Sequence, residues 1–266
     1  MRSGTIEANG QKLYYEVQGQ GEPLLVVSGL AGDITSWGLQ IEAWREHFQV
    51  IAFDNRDAGR SSRATGPYTI AEMAADANAV LDGLSIESAH VLGASMGSMI
   101  AQELALAHPG KVRKLVLVCT MAQMSRYAVS FVDPWRWIVN HDAAGEILPA
   151  HIITWCMTHS FQQDREAVDT LVQQMLAAPY PQPPEAFGRQ ADALSNHDAL
   201  SRLAGIRQPT LVIVGDQDLL TPPWVAREVA EAIPGAQLQV LEGGGHCLFW
   251  EIPDRFNQAV IDFLIS

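Results

Sequence analysis

Short apolar runs that end at small or acidic residues recur along this chain. They alternate with segments whose apolar residues fall every three or four positions. Leu24–Val27, Val50–Phe53, Ala89–Gly93, Leu115–Val118, Leu211–Val214 and Leu238–Leu241 are such runs. Being apolar toward both faces, they suit parallel strands covered by helices on each side. Between them, Ile34–His47, Ile70–Leu84, Met96–His108, Trp224–Ile233 and Asp254–Leu264 carry the helical spacing. Thr69, with Glu72 three positions on, reads as a capping box opening the second of these helices. A different pattern precedes them all. Thr5–Ala8 and Lys12–Val17 flank Asn9-Gly10, a dipeptide that tolerates the positive φ of a primed hairpin turn. The alternation predicts an α/β domain with a mostly parallel central sheet, helices on both faces and an antiparallel hairpin at one edge.

Residues 121–205 break this rhythm. They hold helix-like stretches at Pro134–Asn140, Ala144–Thr158, Asp164–Ala178 and Glu185–Ser195, with the proline-rich Pro179–Pro184 between the last two. No apolar strand run occurs there. The segment reads as a helical cap inserted into one core domain formed by residues 1–120 and 206–266. A chain of 266 residues is long enough for one sizeable core without disulfides or metals.

Composition narrows the function. There are 17 basic and 30 acidic residues, and the imbalance is concentrated after residue 130. Such a chain lacks the electrostatic footprint of a nucleic-acid or anionic-membrane binder. Three scattered cysteines, Cys119, Cys156 and Cys247, do not form a disulfide framework. The N-terminus has no apolar signal region and no run reaches membrane-span length, so the expected location is the cytoplasm. No metal-ligand spacing or dinucleotide fingerprint stands out, and the expected reaction needs no cofactor and no metal.

The strongest chemical signal is Gly93-Ala94-Ser95-Met96-Gly97, which follows a strand and opens a helix. A serine on a sharp strand–helix turn needs small neighbours, and the turn raises its Oγ above the sheet edge at a helix N-terminus. A hydroxyl at neutral pH needs a base. Among eight histidines, His246 stands out, after Gly243-Gly244-Gly245 and past the last strand run. Asp218, after the Leu211–Val214 strand, is the expected orienting acid, with Asp216 its rival. The Met96 and Leu30 amides are the expected oxyanion donors.

These motifs resemble the α/β-hydrolase superfamily across essentially the whole chain. Ser28-Gly29-Leu30-Ala31-Gly32 resembles its oxyanion loop, with Ser28 in place of the usual histidine. Asp54-Asn55-Arg56-Asp57-Ala58-Gly59-Arg60-Ser61 resembles its Asp-x-Arg-Gly-x-Gly-x-Ser loop, with Asp57 in place of the common glycine. Arg56 and Asp57 are read as structural, with Arg56 the alternative receptor for a substrate carboxylate. The order Ser95, Asp218, His246 matches the triad order of the superfamily.

Length and cap resemble those of small bacterial carboxylesterases and 3-oxoadipate enol-lactonases. The resemblance implies a serine hydrolase that cleaves a small to medium carboxylic ester through a covalent acyl-enzyme. The alternatives are a lactonase, a carbon–carbon bond hydrolase of aromatic degradation, a cofactor-free perhydrolase and a ligand receptor that retains the triad. The expected partner is a small-molecule ester or lactone, with no nucleic acid and no membrane, and the protein a monomer or homodimer. Trp135, Trp155, Phe249 and Trp250 are candidates for the walls of an apolar pocket.

Overall fold

The computed structural model describes residues 1–142, 145 and 147–266. Strands β1 (Arg2–Ala8) and β2 (Gln11–Gln18) form the expected hairpin, with Asn9 and Gly10 at φ 53° and 71°. Next come β3 (Glu22–Val27), a 3-10 turn at Ile34–Trp37, α1 (Gly38–Trp44), β4 (Phe48–Phe53) and α2 (Ile70–Gly83). They are followed by β5 (Ala89–Ala94), α3 (Met96–Ala107) and β6 (Val112–Val118). Five helices then intervene: α4 (Arg126–His141), α5 (Ile147–Cys156), α6 (His159–Gln163), α7 (Arg165–Leu176) and α8 (Pro184–Ser195). The chain returns through β7 (Thr210–Gly215), α9 (Pro223–Ala232), β8 (Gln237–Leu241), α10 (Leu248–Glu251) and α11 (Pro253–Ile265).

The eight strands make one sheet in the order β1-β2-β4-β3-β5-β6-β7-β8. Pairings β1–β2 and β2–β4 are antiparallel, and all others are parallel. Central strands β5 and β7 are buried at every position, which is why their sequences show no polar alternation. Strand β8 is the far edge, and its centre is exposed. Helices α4–α8 lie between β6 and β7 in the chain, so the helical insertion forms a cap on an otherwise regular strand–helix succession.

Two local differences from the sequence reading have physical causes. The single helix expected over Ile34–His47 is a 3-10 turn followed by a short α-helix; Asp33 caps the turn by accepting the Thr35 N–H, and Gly38 marks the junction. The first cap helix begins at Arg126, eight residues before the expected proline start, because Ser125 caps it and Pro134 is carried inside. The start expected for the next helix, at Ala144, lies outside the described residues. The Thr69–Glu72 capping box forms in both directions.

Candidate active site

Strand β5 runs into α3 through Ser95, which has φ 54° and ψ −122°. For a non-glycine residue this is strained backbone, held by its surroundings. A Cβ on Gly93 would lie 2.1 Å from the Gly97 carbonyl oxygen, and one on Gly97 would lie 2.2 Å from that of Val27. The two glycines therefore admit the turn between β3, β5 and α3. The Ser95 N–H donates to the Val118 carbonyl at 2.9 Å. Behind the turn, the Ser98 hydroxyl donates to the Ser95 carbonyl, and the Gln102 amide donates to the Thr120 hydroxyl and the Met121 carbonyl. Ser95 itself is half-buried.

The loop after β7 and the loop after β8 bring Asp218 and His246 together. His246 Nδ1 lies 2.9 Å from one Asp218 carboxylate oxygen and 3.1 Å from the other. The same carboxylate accepts the Leu220 and Thr221 N–H groups and the Thr221 hydroxyl. Asp216 faces elsewhere and accepts the Gly243 N–H, as a turn cap. Burial pushes the His246 pKa down, but the Asp218 charge and hydrogen bond outweigh it and hold it above its ordinary value. Burial likewise works to raise the Asp218 pKa, and His246 and the Thr221 donors pull it below the usual carboxylate range.

Leu30 sits in the loop that leaves β3, and Met96 is the first residue of α3. A Cβ at Gly29 would lie 3.2 Å from Ser95 Cβ, so this loop runs directly over the elbow. Asn55 fixes its start by donating to the Ser28 carbonyl, and the Ser28 hydroxyl accepts the Trp37 indole N–H.

The four aromatic candidates do not share one environment. Trp135 on α4 donates its indole N–H to His151, and Trp155 on α5 packs edge-on against Phe131. Phe249 stacks on Trp37 in the body core, and Trp250 donates to the Ser36 carbonyl. Arg56 is closed off by a two-pronged bond to Asp76, and Asp57 takes a similar fork from Arg189 of the cap.

Comparison with known proteins places this geometry. The family model described as the alpha/beta hydrolase fold matches residues 22–253. The chain belongs to the α/β-hydrolase fold family. A relative from Azorhizobium caulinodans, RutD, named for carbamate hydrolysis, is 33% identical over 94% of both chains. BpoC of Mycobacterium tuberculosis, named as a non-haem bromoperoxidase, is 30% identical over 96% of this chain and 98% of its own. The enol-lactonase of Burkholderia xenovorans LB400 superposes with a TM-score of 0.87 at 26% identity, covering 99% of this chain and all of the other. Within the α/β-hydrolase family the chain is an enzyme of the carboxylic-ester hydrolase class.

The structure corrects the serine mechanism expected from the sequence. Among the described residues, no hydrogen bond joins Ser95 Oγ to His246. The third reactive side chain grouped with the pair is Cys119, at the end of β6. Its Sγ, an Asp218 oxygen and a His246 nitrogen all lie within 4.8 Å of one another. The acyl-serine reading of the Ser95, Asp218, His246 and oxyanion-loop motifs gives this thiol no role. Cys119 has φ 47°, is fully buried, and donates its S–H to the His246 carbonyl. Burial, with the Asp218 charge beside it, pushes its pKa well above the ordinary thiol value. The cluster is a hydrogen-bonded one, because backbone and hydroxyl donors already occupy the Asp218 oxygens.

Sequence reasoning gave no role to Thr221, and none to Glu251 beyond its place in the segment after His246. The Glu251 carboxylate accepts the Gly245 N–H on one oxygen and the Thr158 N–H and hydroxyl on the other. It thus ties the histidine loop to the cap.

Proposed function

We propose that this chain is a cofactor-free perhydrolase, which transfers the acyl group of a small carboxylic ester to hydrogen peroxide. The observation that carries the reading is the resting arrangement of the base. His246 is locked to Asp218 through Nδ1 and makes no hydrogen bond to Ser95 among the described residues, so its other nitrogen can serve a small diffusible nucleophile. His246 Nε2 takes a proton from hydrogen peroxide, and the peroxide oxygen attacks the ester carbonyl. The Leu30 and Met96 amides hold the oxyanion, and the Ser95 hydroxyl orients the reacting groups. The C–O bond to the alcohol breaks, and His246 returns the proton to the leaving alkoxide. Ester and peroxide become peracid and alcohol, with every atom accounted for. Trp135 and Trp155 supply the cap side of an apolar pocket.

Two observations support the choice of acceptor. BpoC is named as a bromoperoxidase without haem, and a peracid released into solution oxidises bromide without any metal. Cys119 and Cys156 are buried, with thiol pKa values well above ordinary, so they stay protonated and resist peroxide.

The test gives the purified protein a short aryl ester with and without hydrogen peroxide. Residual peroxide is removed with catalase, and peracid is counted by iodide oxidation. Peracid that requires both substrates and vanishes in His246→Ala is the expected result. Carboxylic acid as the sole acyl product, whatever the peroxide concentration, would overturn the assignment.

One further observation favours a second reading. Cys119 lies beside the same Asp218–His246 pair, and a thiol nucleophile there, protonated at rest, gives its proton to His246 as it attacks. Acid quenching during turnover, followed by peptide mass analysis, separates the mechanisms. Direct attack by peroxide leaves no acylated peptide. An acyl increment on the Cys119 peptide assigns the thiol route, and one on the Ser95 peptide refutes both readings.

A further inference from the structure

The cap reaches the loop over the elbow through one side chain. Gln190 on α8 is fully buried. Its Oε1 accepts the Ala31 N–H at 3.0 Å and also a Gln182 amide hydrogen at 3.0 Å. Its Nε2 donates to the Arg56 carbonyl at 2.9 Å. One amide group therefore joins the cap, the loop after β3 and the loop after β4.

The Ala31 contact falls where the backbone is least stable by itself. The Gly32 N–H donates to the Gly29 carbonyl at 3.2 Å, closing a four-residue turn. Ala31 is the third residue of that turn and has φ 60°. A positive φ at this position is the mark of a type II turn, which favours glycine and is strained for alanine. Rotating the Leu30–Ala31 peptide toward the type I arrangement would relieve the strain. It would also turn the Ala31 N–H away from Gln190 and turn over the Leu30 carbonyl, in the same turn that carries the Leu30 N–H. The Gln190 oxygen opposes that rotation, because the Ala31 N–H and the fully buried Gln190 oxygen would lose each other as partners.

We infer that Gln190 is a positioning residue: from the cap, it holds the Gly29–Gly32 turn in the conformation that presents the Leu30 amide to a substrate carbonyl. The inference rests on the Leu30 loop as the carbonyl-oxygen subsite and is independent of the acyl acceptor. Cap seating is thereby coupled to the oxyanion site. Carbonyl stabilisation is complete only when α8 is docked. Arg189, the preceding residue, supplies a separate anchor through its fork on Asp57 and does not touch the turn.

The experiment compares Gln190→Met, Gln190→Glu and Arg189→Lys in the full chain, with a short aryl ester and water as acceptor, so that the peroxide assignment does not enter. Gln190→Met is expected to lower kcat by about 10–100-fold, approaching the effect of losing one oxyanion donor, with KM changed less than about threefold. Gln190→Glu keeps an acceptor for the Ala31 N–H and is expected to recover most of that loss. Arg189→Lys loosens the same helix and is expected to keep kcat within about threefold. Hydrogen exchange gives a readout that needs no turnover: the peptide spanning residues 28–32 should exchange faster in Gln190→Met and not in Arg189→Lys. Equal kcat losses in Gln190→Met and Arg189→Lys, or unchanged exchange in the 28–32 peptide, would overturn the inference. Faster exchange with unchanged kcat would instead refute the Leu30 loop as the carbonyl subsite.

Discussion

Asp218→Asn is expected to lower turnover by about 10⁴-fold, with the protein still folded, because an amide favours the wrong imidazole tautomer. The carboxylate accepts His246 Nδ1–H and is itself held by two backbone N–H groups and the Thr221 hydroxyl. An asparagine there keeps the shape but offers an N–H where His246 needs an acceptor. Asp216→Asn is expected to stay within about threefold, since Asp216 only caps the Gly243 N–H and a neutral amide oxygen can still accept it. Equal losses in the two variants would remove Asp218 from its role.

The pH dependence follows with a definite sign. His246 acts as a base in its neutral form, and its pKa is held above 6.5 in spite of burial by Asp218. The acid limb of kcat/KM in the parent enzyme should therefore lie above pH 6.5, with activity falling as pH drops through it. In Asp218→Asn the main opposition to burial is lost, and the limb of the residual activity should move to lower pH. Stability runs the other way for His246. Its raised pKa contributes stability that is present below the unfolded value and lost as pH rises through the folded one. The lowered Asp218 pKa contributes stability that is lost as pH falls through it. Rate profiles and urea midpoints across the same pH series separate the two effects.

What was legible in the sequence is what local rules dictate. Asn9-Gly10, the Thr69–Glu72 box and the Gly93–Gly97 elbow each fix a backbone shape within a few residues. The structure forms all three. The succession of strands along the chain could be laid out because buried parallel strands are short, uniform apolar runs. The cap was legible only as helical. Pro134 looked like a helix start, yet Ser125 had already begun α4.

Apart from the local Thr221 contact to Asp218, the site contacts that were missed are long-range. Cys119 meets the His246 carbonyl across 127 positions, Glu251 meets Thr158 across 93, and Gln190 meets Ala31 across 159. None leaves a periodic trace, and a cysteine at a strand end reads as ordinary core. The elbow motif was consequently weighted toward an acyl-serine before the thiol grouped with Asp218 and His246 was in view.

Asp76→Ala is expected to destabilise the protein by about 3–5 kcal/mol, the range for stranding one partner of a buried ion pair. Arg56 Nε and Nη2 lie 2.6 and 2.8 Å from the two Asp76 oxygens, and the residues are 5% and 1% exposed. The Asn9 amide donates to the same carboxylate, and the guanidinium lies 5.0 Å from the centre of the Tyr68 ring. Removing the carboxylate leaves a buried guanidinium without its two-pronged partner. The Arg56→Met/Asp76→Leu double variant removes both charges at similar volume and should recover most of the loss. Urea midpoints for Arg56→Met, Asp76→Leu and the double variant close the cycle. A double variant no more stable than Asp76→Ala would show that the pair's value lies in its geometry and not in mutual neutralisation. The pair also decides the alternative role for Arg56. A guanidinium already forked onto Asp76 has no matching face for a substrate carboxylate, so the double variant should leave the KM ratio between an anionic and a neutral ester unchanged. A selective rise in KM for the anionic ester would return Arg56 to the substrate site.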